Sequence, residues 1–134
     1  MDAKRDGWPV LEALGPKDVI QYARKLGITA PIPEYLSVAI GAAESTLIEM
    51  TSAYSAFPNQ GVRMQPILFN EVVSQDGTVL EQHRAEPREA LRADTAYIMT
   101  NLLAGVVQRG TAASAASLNW PLGGKTGTTD DYTD

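Results

Sequence analysis

Cysteine is absent from the 134 residues, and histidine occurs once, at His83. Without cysteine the chain has no disulfide, no thiol nucleophile and no thiolate zinc site. A histidine-based catalytic triad would have to use His83, which lies in a polar stretch beside Gln82 and Arg84. We expect His83 to face solvent near a strand end, and we expect neither a metal site nor a cofactor.

Long apolar runs and an excess of basic residues are also lacking. No stretch approaches the roughly 20 apolar residues that span a bilayer, and residues 1–6 lack the apolar run of a signal peptide. Work outside the cytoplasm would therefore require a targeting segment supplied from elsewhere. The net charge is -5 without long like-charge runs, which argues against a nucleic-acid partner or an anionic membrane surface.

The hydrophobic content of 44% is sufficient for one compact domain with a real core. Apolar residues recur at helical spacing over residues 19–26, after Pro16, and Gly27 falls where a helix C-cap would lie. A second helix is predicted over residues 47–57. Thr46 and Glu49 have the spacing of a capping box at its start. Its expected apolar face consists of Leu47, Met50, Tyr54 and Phe57.

The middle of the chain predicts a β-hairpin. Residues 67–73 are an apolar run, Val79 and Leu80 form a second short one, and Asp76 and Gly77 between them form a turn signal. We therefore expect residues 67–73 and 78–82 to pair as antiparallel strands.

The last third of the chain predicts one more helix and one more strand. Asp94 is a candidate cap for a helix over residues 95–108, which Gly110 would end. Residues 122–129 are short, glycine-containing and threonine-rich, which favours a strand with a loop at each end.

Residues 123–129, Gly-Gly-Lys-Thr-Gly-Thr-Thr, are difficult to explain by packing alone. One interpretation is a phosphate-binding loop, because Gly-Lys-Thr ends the Walker pattern. That pattern requires glycine at position 119, which is Asn119, and an apolar helix after Thr126, where Gly, Thr and Thr follow. Two of its requirements are therefore unmet.

The other interpretation is a Lys-Thr-Gly strand at the edge of an active site. On a strand, the hydroxyls of Thr126 and Thr128 project to one face and can converge on a carboxylate. Gly127 between them allows another backbone to approach. Lys125 supplies a positive charge that attracts an anionic substrate terminus and polarises a neighbouring hydroxyl. The backbone N–H of Thr128 is a candidate oxyanion donor, and the strand edge can accept an extended peptide.

Other polar groups have simpler explanations. Glu44 and Glu49 could form an acid pair, yet Glu49 is better explained as the capping partner of Thr46. Ser117 and Asn119 have Ser-x-Asn spacing, which we interpret as coincidence. A solvated turn, matching no calcium loop, accounts for the remaining acidic cluster of Asp130, Asp131 and Asp134.

Most of the chain resembles the transpeptidase domain of class A, bifunctional penicillin-binding proteins. The matching blocks occur in family order from about residue 11 onward, at residues 19–28, 37–41, 44–54, 59–62, 66, 76–80, 109–112 and 124–134. The resemblance implies an α/β (α+β) fold of the penicillin-binding protein and serine β-lactamase type, with helices packed on an antiparallel sheet. It also implies that residues 1–134 are a partial domain, running from after the family's Ser-x-Asn motif through the Lys-Thr-Gly strand.

The resemblance further implies a function in peptidoglycan cross-linking through a serine acyl-enzyme. Lys125, Thr126, Gly127 and Thr128 match the family's third motif and would bind substrate, with Lys125 and Thr128 also serving catalysis. No serine here is followed three positions later by lysine, so the nucleophile motif is missing. Expected partners are the peptidoglycan stem peptide, β-lactams and the remainder of the parent protein, on the periplasmic face of the inner membrane. The alternative is a non-catalytic binding module or pseudoenzyme of the same fold.

Overall fold

The computed structural model describes Pro9 and residues 12–41 and 43–127, and combines helices with short antiparallel strands. Helices α1, α2 and α3 span Pro16–Lys25, Leu47–Ser55 and Ala93–Arg109, and 3-10 helices span Leu36–Ile40 and Ala113–Leu118. Strands β1 to β4 span Val62–Met64, Glu71–Val73, Val79–Gln82 and Pro87–Glu89. The predicted combination of helices and antiparallel strands is confirmed. A search of the described residues finds no helix with the length and apolar character needed to span a bilayer.

Helix α1 begins at Pro16, three residues before the predicted range 19–26, and its C-cap is Leu26, one residue before Gly27. Pro16 stands at the helix start, where its fixed φ suits the first turn and its missing N–H is not needed. After the helix, Gly27 adopts a φ of 90°, a left-handed conformation that glycine enters at little cost. The N–H of Ile28 then bonds to the carbonyl of Ala23 at 3.0 Å, closing the last turn. This turn places Ile28 among the buried residues.

Helix α2 confirms the capping box but contradicts the expected apolar face. The hydroxyl of Thr46 accepts from the N–H of Glu49, whose carboxylate accepts from the N–H of Thr46. The expected face is largely exposed, with Leu47 83% accessible, whereas Ser52 and Ala53 are buried. The reason is close approach, because α2 packs on β1 through its small side chains and Ser52 donates to a carbonyl of that strand.

The predicted hairpin is formed by β2 and β3, which pair antiparallel. Its turn closes with a hydrogen bond of 2.8 Å from the Ser74 N–H to the Thr78 carbonyl, and Gly77 within it has a φ of 88°. The first strand is shorter than the predicted 67–73. A strand requires a hydrogen-bonding partner along its length, and β3 supplies only four residues.

A second antiparallel pair, β1 with β4, was not predicted, and Gly61 organises its end. The Gly61 N–H donates to the carbonyl of Ala56, one residue beyond α2, at 2.8 Å. The Gly61 carbonyl accepts from the N–H of Ala90 at 2.9 Å and from that of Leu91 at 3.1 Å. One residue thus joins the end of α2 to the segment that enters α3.

Helix α3 begins two residues earlier than predicted, and the proposed cap at Asp94 is wrong. The N-cap is Arg92, and Asp94 lies within the first turn. Its carboxylate accepts from the N–H of Thr95 at 2.7 Å and from Arg92 at 2.6 Å. These contacts, first the Thr95 N–H and then the Arg92 guanidinium, hold the pKa of Asp94 below its usual range. The helix ends at Gly110, as predicted.

The buried apolar residues in the described part of the chain include those that form hydrogen bonds with Gly61. The buried apolar residues are Ile28, Ala53, Ala56, Ala90, Leu91, Ala96 and Val107. Large apolar side chains on α3 remain at the surface, including Tyr97 at 70% and Leu102 at 61% exposure. The described part of the chain therefore buries a small core and exposes broad apolar faces.

The Gly61 junction yields a stability prediction with a matched control. A Cβ at Gly61 would lie 2.2 Å from the Leu91 carbonyl oxygen, whereas a Cβ at Gly77 would meet nothing within 4 Å. Both glycines have similar left-handed φ values. Gly77→Ala should therefore cost about 1 kcal/mol of backbone strain, and Gly61→Ala about 3 kcal/mol or more because it adds a clash. Urea unfolding of both variants measures the difference, and equal losses would contradict the proposed role of the junction.

Candidate functional site

The Lys-Thr-Gly segment has no regular secondary structure in its described part, residues 122–127, so the strand predicted over residues 122–129 is not formed there. The described strands pair only as β1 with β4 and β2 with β3, and no described residue of this segment takes part in either pairing. A strand exists only where a neighbouring strand accepts and donates its backbone hydrogen bonds. Thr128 lies outside the described residues, so its predicted roles remain predictions.

The segment lies instead against the second half of α3. The N–H of Gly124 donates to the carbonyl of Leu103 at 3.1 Å. A Cβ at Gly123 would lie 3.2 Å from the backbone nitrogen of Ala104 and from Cβ of Leu103. Such distances are shorter than ordinary van der Waals contact, so glycine at position 123 permits this close approach. Helix α3 therefore determines where the segment lies.

Lys125, Thr126 and Gly127 are all exposed and lie next to one another at the surface. The ammonium of Lys125 donates to the carbonyl of Thr126. The hydroxyl of Thr126 is 2.9 Å from the hydroxyl of Thr111, which follows α3. No backbone hydrogen bond joins residues 125–127 to another described residue. A positive charge, a hydroxyl and an exposed backbone without backbone hydrogen-bonding partners among the described residues are thus combined, an arrangement suited to an anionic group on an extended peptide.

Sequence reasoning identified the motif but missed its supports. Thr111 lies 15 residues before Thr126 in a stretch of small residues, where no spacing signal connects the two hydroxyls. Leu103 contributes a backbone carbonyl, which any residue type would supply. The one available signal was the doubled glycine at positions 123 and 124, since adjacent glycines can indicate close backbone approach.

Glu49 is engaged in structural hydrogen bonds and does not form an acid pair with Glu44. Its carboxylate accepts from the N–H of Thr29 at 2.7 Å and from the Thr29 hydroxyl, as well as from the N–H and hydroxyl of Thr46. These donors, led by the Thr29 hydroxyl and N–H, lower the pKa of Glu49 from 4.5 to about 2. The carboxylate links the loop after α1 to the start of α2.

The structure agrees with the interpretation of two further polar residues. His83 is exposed just after β3, as predicted, and its Nε2 is 2.6 Å from a carboxylate oxygen of Glu81. Ser117 donates to the carbonyl of Ser114 at 2.8 Å, and Asn119 ends a 3-10 helix in a left-handed conformation. The Ser-x-Asn spacing therefore coincides with a helix end.

Metal binding has no support among residues 12–41 and 43–127, where no group of three or more histidine, aspartate or glutamate side chains is assembled. The acidic residues Asp130, Asp131 and Asp134 lie outside the described residues, and their interpretation as a solvated turn stays a prediction.

Comparison with known families gives one match that covers most of the chain. The family model described as the penicillin-binding protein transpeptidase domain matches residues 12–134. Penicillin-binding protein 1A of Aquifex aeolicus is 35% identical over 125 residues, which cover 93% of this chain and 17% of the relative. Penicillin-binding protein 1A of Neisseria meningitidis is 33% identical over 132 residues, covering 93% of this chain and 16% of the relative. The chain thus spans about a sixth of these curated relatives.

Solved structures give the same result for the fold. Penicillin-binding protein 3 of Mycobacterium tuberculosis, complexed with ampicillin, superposes with a TM-score of 0.63 at 26% identity. The superposition covers 84% of this chain and 28% of that one. The complex of the same protein with aztreonam gives a TM-score of 0.65 at 24% identity, covering 87% and 30%. The transpeptidase fold expected from the sequence is therefore confirmed.

The Glu49 carboxylate yields a prediction on pH. Its pKa in the folded protein, about 2, is below its ordinary value of 4.5, so the unfolded chain binds the proton more readily between these two values. The contribution to stability is complete above about pH 4.5 and is lost as the pH falls toward 2. Glu49→Gln should therefore destabilise the protein at neutral pH and flatten the acid loss of stability, measured by urea unfolding across this range.

Glu44→Gln provides the control, because it removes an exposed carboxylate five positions away. It should keep the parental pH dependence. If Glu49→Gln also kept the parental pH dependence of stability, the hydrogen bonds from Thr29 and Thr46 would not favour the charged form of the Glu49 carboxylate in the folded state.

Proposed function

Because this chain belongs to the family of penicillin-binding protein transpeptidase domains, we propose that it is the substrate-binding part of a peptidoglycan D,D-transpeptidase. The curated relatives are named penicillin-binding protein 1A, which agrees with the class A resemblance. The observation that carries the proposal is the exposed combination of Lys125, Thr126 and Gly127 held against α3. In this proposal the segment binds the terminal carboxylate of a stem peptide or the carboxylate of a β-lactam.

Each member of the motif has a distinct task. The Lys125 ammonium attracts the carboxylate and polarises a nearby hydroxyl, and the Thr126 hydroxyl donates a hydrogen bond to the same anion. Gly127 has no side chain to obstruct an approaching peptide backbone, and a Cβ placed there would meet nothing within 4 Å among the described residues. By its match to the family motif, Thr128 adds a second hydroxyl and an N–H for the oxyanion.

The proposed chemistry also requires a serine and a lysine that this chain does not supply in the Ser-x-x-Lys pattern. The serine oxygen attacks the penultimate D-alanine carbonyl, and the bond to the terminal D-alanine breaks as that amine takes a proton. The resulting acyl-enzyme transfers its acyl group to the amine of a neighbouring stem peptide, releasing the serine. We assign these groups to the remainder of the parent protein.

The exposed apolar faces support a partial domain. Leu47 at 83% and Tyr97 at 70% exposure are unusual for large apolar side chains on helices, and burial of each such side chain is worth about 1.5–3 kcal/mol. We propose that these faces pack against the remainder of the transpeptidase domain. The parent would act on the periplasmic face of the inner membrane, where peptidoglycan is assembled.

The missing Ser-x-x-Lys pattern also favours a second candidate, a non-catalytic binding module or pseudoenzyme of the same fold. The reading frame upstream of this chain separates the two. A continuous frame that encodes Ser-x-x-Lys and a membrane anchor supports the enzyme, and a stop codon directly upstream supports the binding module.

The proposal predicts that Lys125→Ala in the complete parent protein will slow acylation by a fluorescent penicillin about a hundredfold or more, the scale of losing a preorganised electrostatic partner. The reason is that both the bound carboxylate and the polarised hydroxyl depend on the positive charge. Lys125→Arg should restore activity only in part, because a planar guanidinium does not fill the place of a compact ammonium. Stopped-flow fluorescence measures the rates.

Lys17→Ala is the matched control, since Lys17 is an exposed lysine in the first turn of α1. It should acylate at the parental rate. Thermal melting of each variant separates loss of function from misfolding. A Lys125→Ala protein that melts normally and acylates like the parent would refute the proposed function.

A separate prediction concerns the 134-residue chain by itself. It should form no covalent adduct with a fluorescent penicillin, because no serine has a lysine three positions later. Denaturing electrophoresis with fluorescence detection is the measurement, and the complete parent protein is the positive control. An adduct that survives denaturation and maps to a serine of this chain would show that the nucleophile is present here.

A further inference from the structure

The hydroxyl of Thr111 contacts the candidate substrate-binding segment directly. Its Oγ1 is 2.9 Å from Oγ1 of Thr126, a hydrogen bond in which either atom is able to donate. Thr111 lies between the end of α3 at Arg109 and the 3-10 helix Ala113–Leu118. It therefore joins a connection after one helix to the motif that carries the proposed carboxylate site.

The residues on either side of Thr111 both donate backbone hydrogen bonds to the same carbonyl of α3. The carbonyl of Val106 accepts from the N–H of Gly110 at 3.1 Å and from the N–H of Ala112 at 3.2 Å. A Cβ at Gly110 would lie 2.9 Å from the same carbonyl oxygen, so a side chain there would disturb the turn. The neighbouring Val107 is buried. The turn thus fixes the position of the Thr111 hydroxyl relative to α3.

The segment opposite is fixed to the same helix by its backbone. Gly124 donates to the Leu103 carbonyl, and Gly123 lies close against Leu103 and Ala104. These contacts place the main chain before Thr126, but they leave its side chain free to rotate about χ1. The contact with Thr111 selects the rotamer that brings the two oxygens to 2.9 Å.

Each hydroxyl has a single proton to donate, and this limit favours one direction for the hydrogen bond between Thr111 and Thr126. A hydroxyl has one proton to donate and two lone pairs that accept. If Thr126 donated to Thr111, it would have no proton left for a carboxylate. If Thr111 donates, the Thr126 proton is free, and a hydroxyl that accepts one hydrogen bond becomes a better donor to the next group.

We propose that Thr111 is a positioning residue, whose hydroxyl donates to Thr126 and so directs the Thr126 proton toward the substrate carboxylate. The inference rests on the function proposed above, in which Thr126 binds that carboxylate. Thr111 acts on binding through Thr126 and does not touch the reacting carbonyl. Loss of its hydroxyl should therefore weaken the non-covalent complex and leave the acylation step itself nearly unchanged.

The test compares Thr111→Val and Thr111→Ser in the complete parent protein. Stopped-flow measurements over a range of fluorescent penicillin concentrations separate the dissociation constant of the non-covalent complex from the acylation rate constant. Thr111→Val should raise the dissociation constant about fivefold, the scale of one neutral hydrogen bond, with the rate constant within about twofold of the parent. Thr111→Ser keeps the donor and should restore parental binding.

Two further variants make the result specific. Thr51→Val is the matched control, because the exposed Thr51 donates only within α2, to the carbonyl of Leu47 at 2.8 Å. It should bind and acylate like the parent. Thr126→Val removes the group through which Thr111 acts, so adding Thr111→Val to it should weaken binding no further. Titration of active sites with saturating penicillin corrects every value for the folded fraction.

Parental binding by Thr111→Val, failure of serine to rescue, or independent effects in the double variant would each overturn the positioning role. Lys125→Ala in the same assay separates this failure from failure of the proposed function. If Lys125→Ala strongly impaired acylation while Thr111→Val bound penicillin like the parent, the proposed function would be retained and only the positioning role of Thr111 would be rejected. A silent Lys125→Ala would remove the proposed function itself.

Discussion

The Gly61 carbonyl accepts two N–H groups, from Ala90 and Leu91, while the Gly61 N–H donates to Ala56. The end of α2 and the start of β1, which are close in sequence, meet the distant entry to α3 at this residue. The left-handed φ of 89° and the lack of a Cβ are both needed, because a Cβ would clash with the Leu91 carbonyl. Ala56, Ala90 and Leu91, which form these hydrogen bonds, are all buried, so the junction lies within the core.

The candidate site depends on the junction through α3. The helix begins two residues after Leu91, and its second half carries the Leu103 carbonyl that anchors the Lys-Thr-Gly segment. The turn after the helix presents Thr111 to Thr126. Helix α3 thus connects the buried core to the Lys-Thr-Gly motif. This explains how an exposed segment without strand pairing keeps a defined place in the described structure.

Glu49 and Lys125 differ in how far their hydrogen-bonding capacity is used within the fold. The Glu49 carboxylate receives four donors from Thr29 and Thr46, which hold it charged and immobile between two segments. Lys125 is exposed, and its contact with the Thr126 carbonyl lies within the motif itself. A charge whose hydrogen-bonding capacity is used within the fold stabilises structure, and an exposed charge on a segment with no backbone hydrogen bonds to other described residues is available to a ligand. This difference supports assigning substrate binding to Lys125.

The sequence by itself determined helices α1, α2 and α3, the capping box, the hairpin and the Lys-Thr-Gly motif. Each of these depends on residues within a few positions of one another, such as Thr46 with Glu49, so local spacing is sufficient. Only the tertiary structure decided that α2 buries Ser52 and Ala53 instead of its large apolar residues, that β1 pairs with β4, and that Thr111 meets Thr126. Those outcomes depend on which segments, distant in sequence, approach each other in the fold. Where backbones approach closely, the contacts are made by small side chains and backbone groups, which form no recognisable pattern in the local sequence.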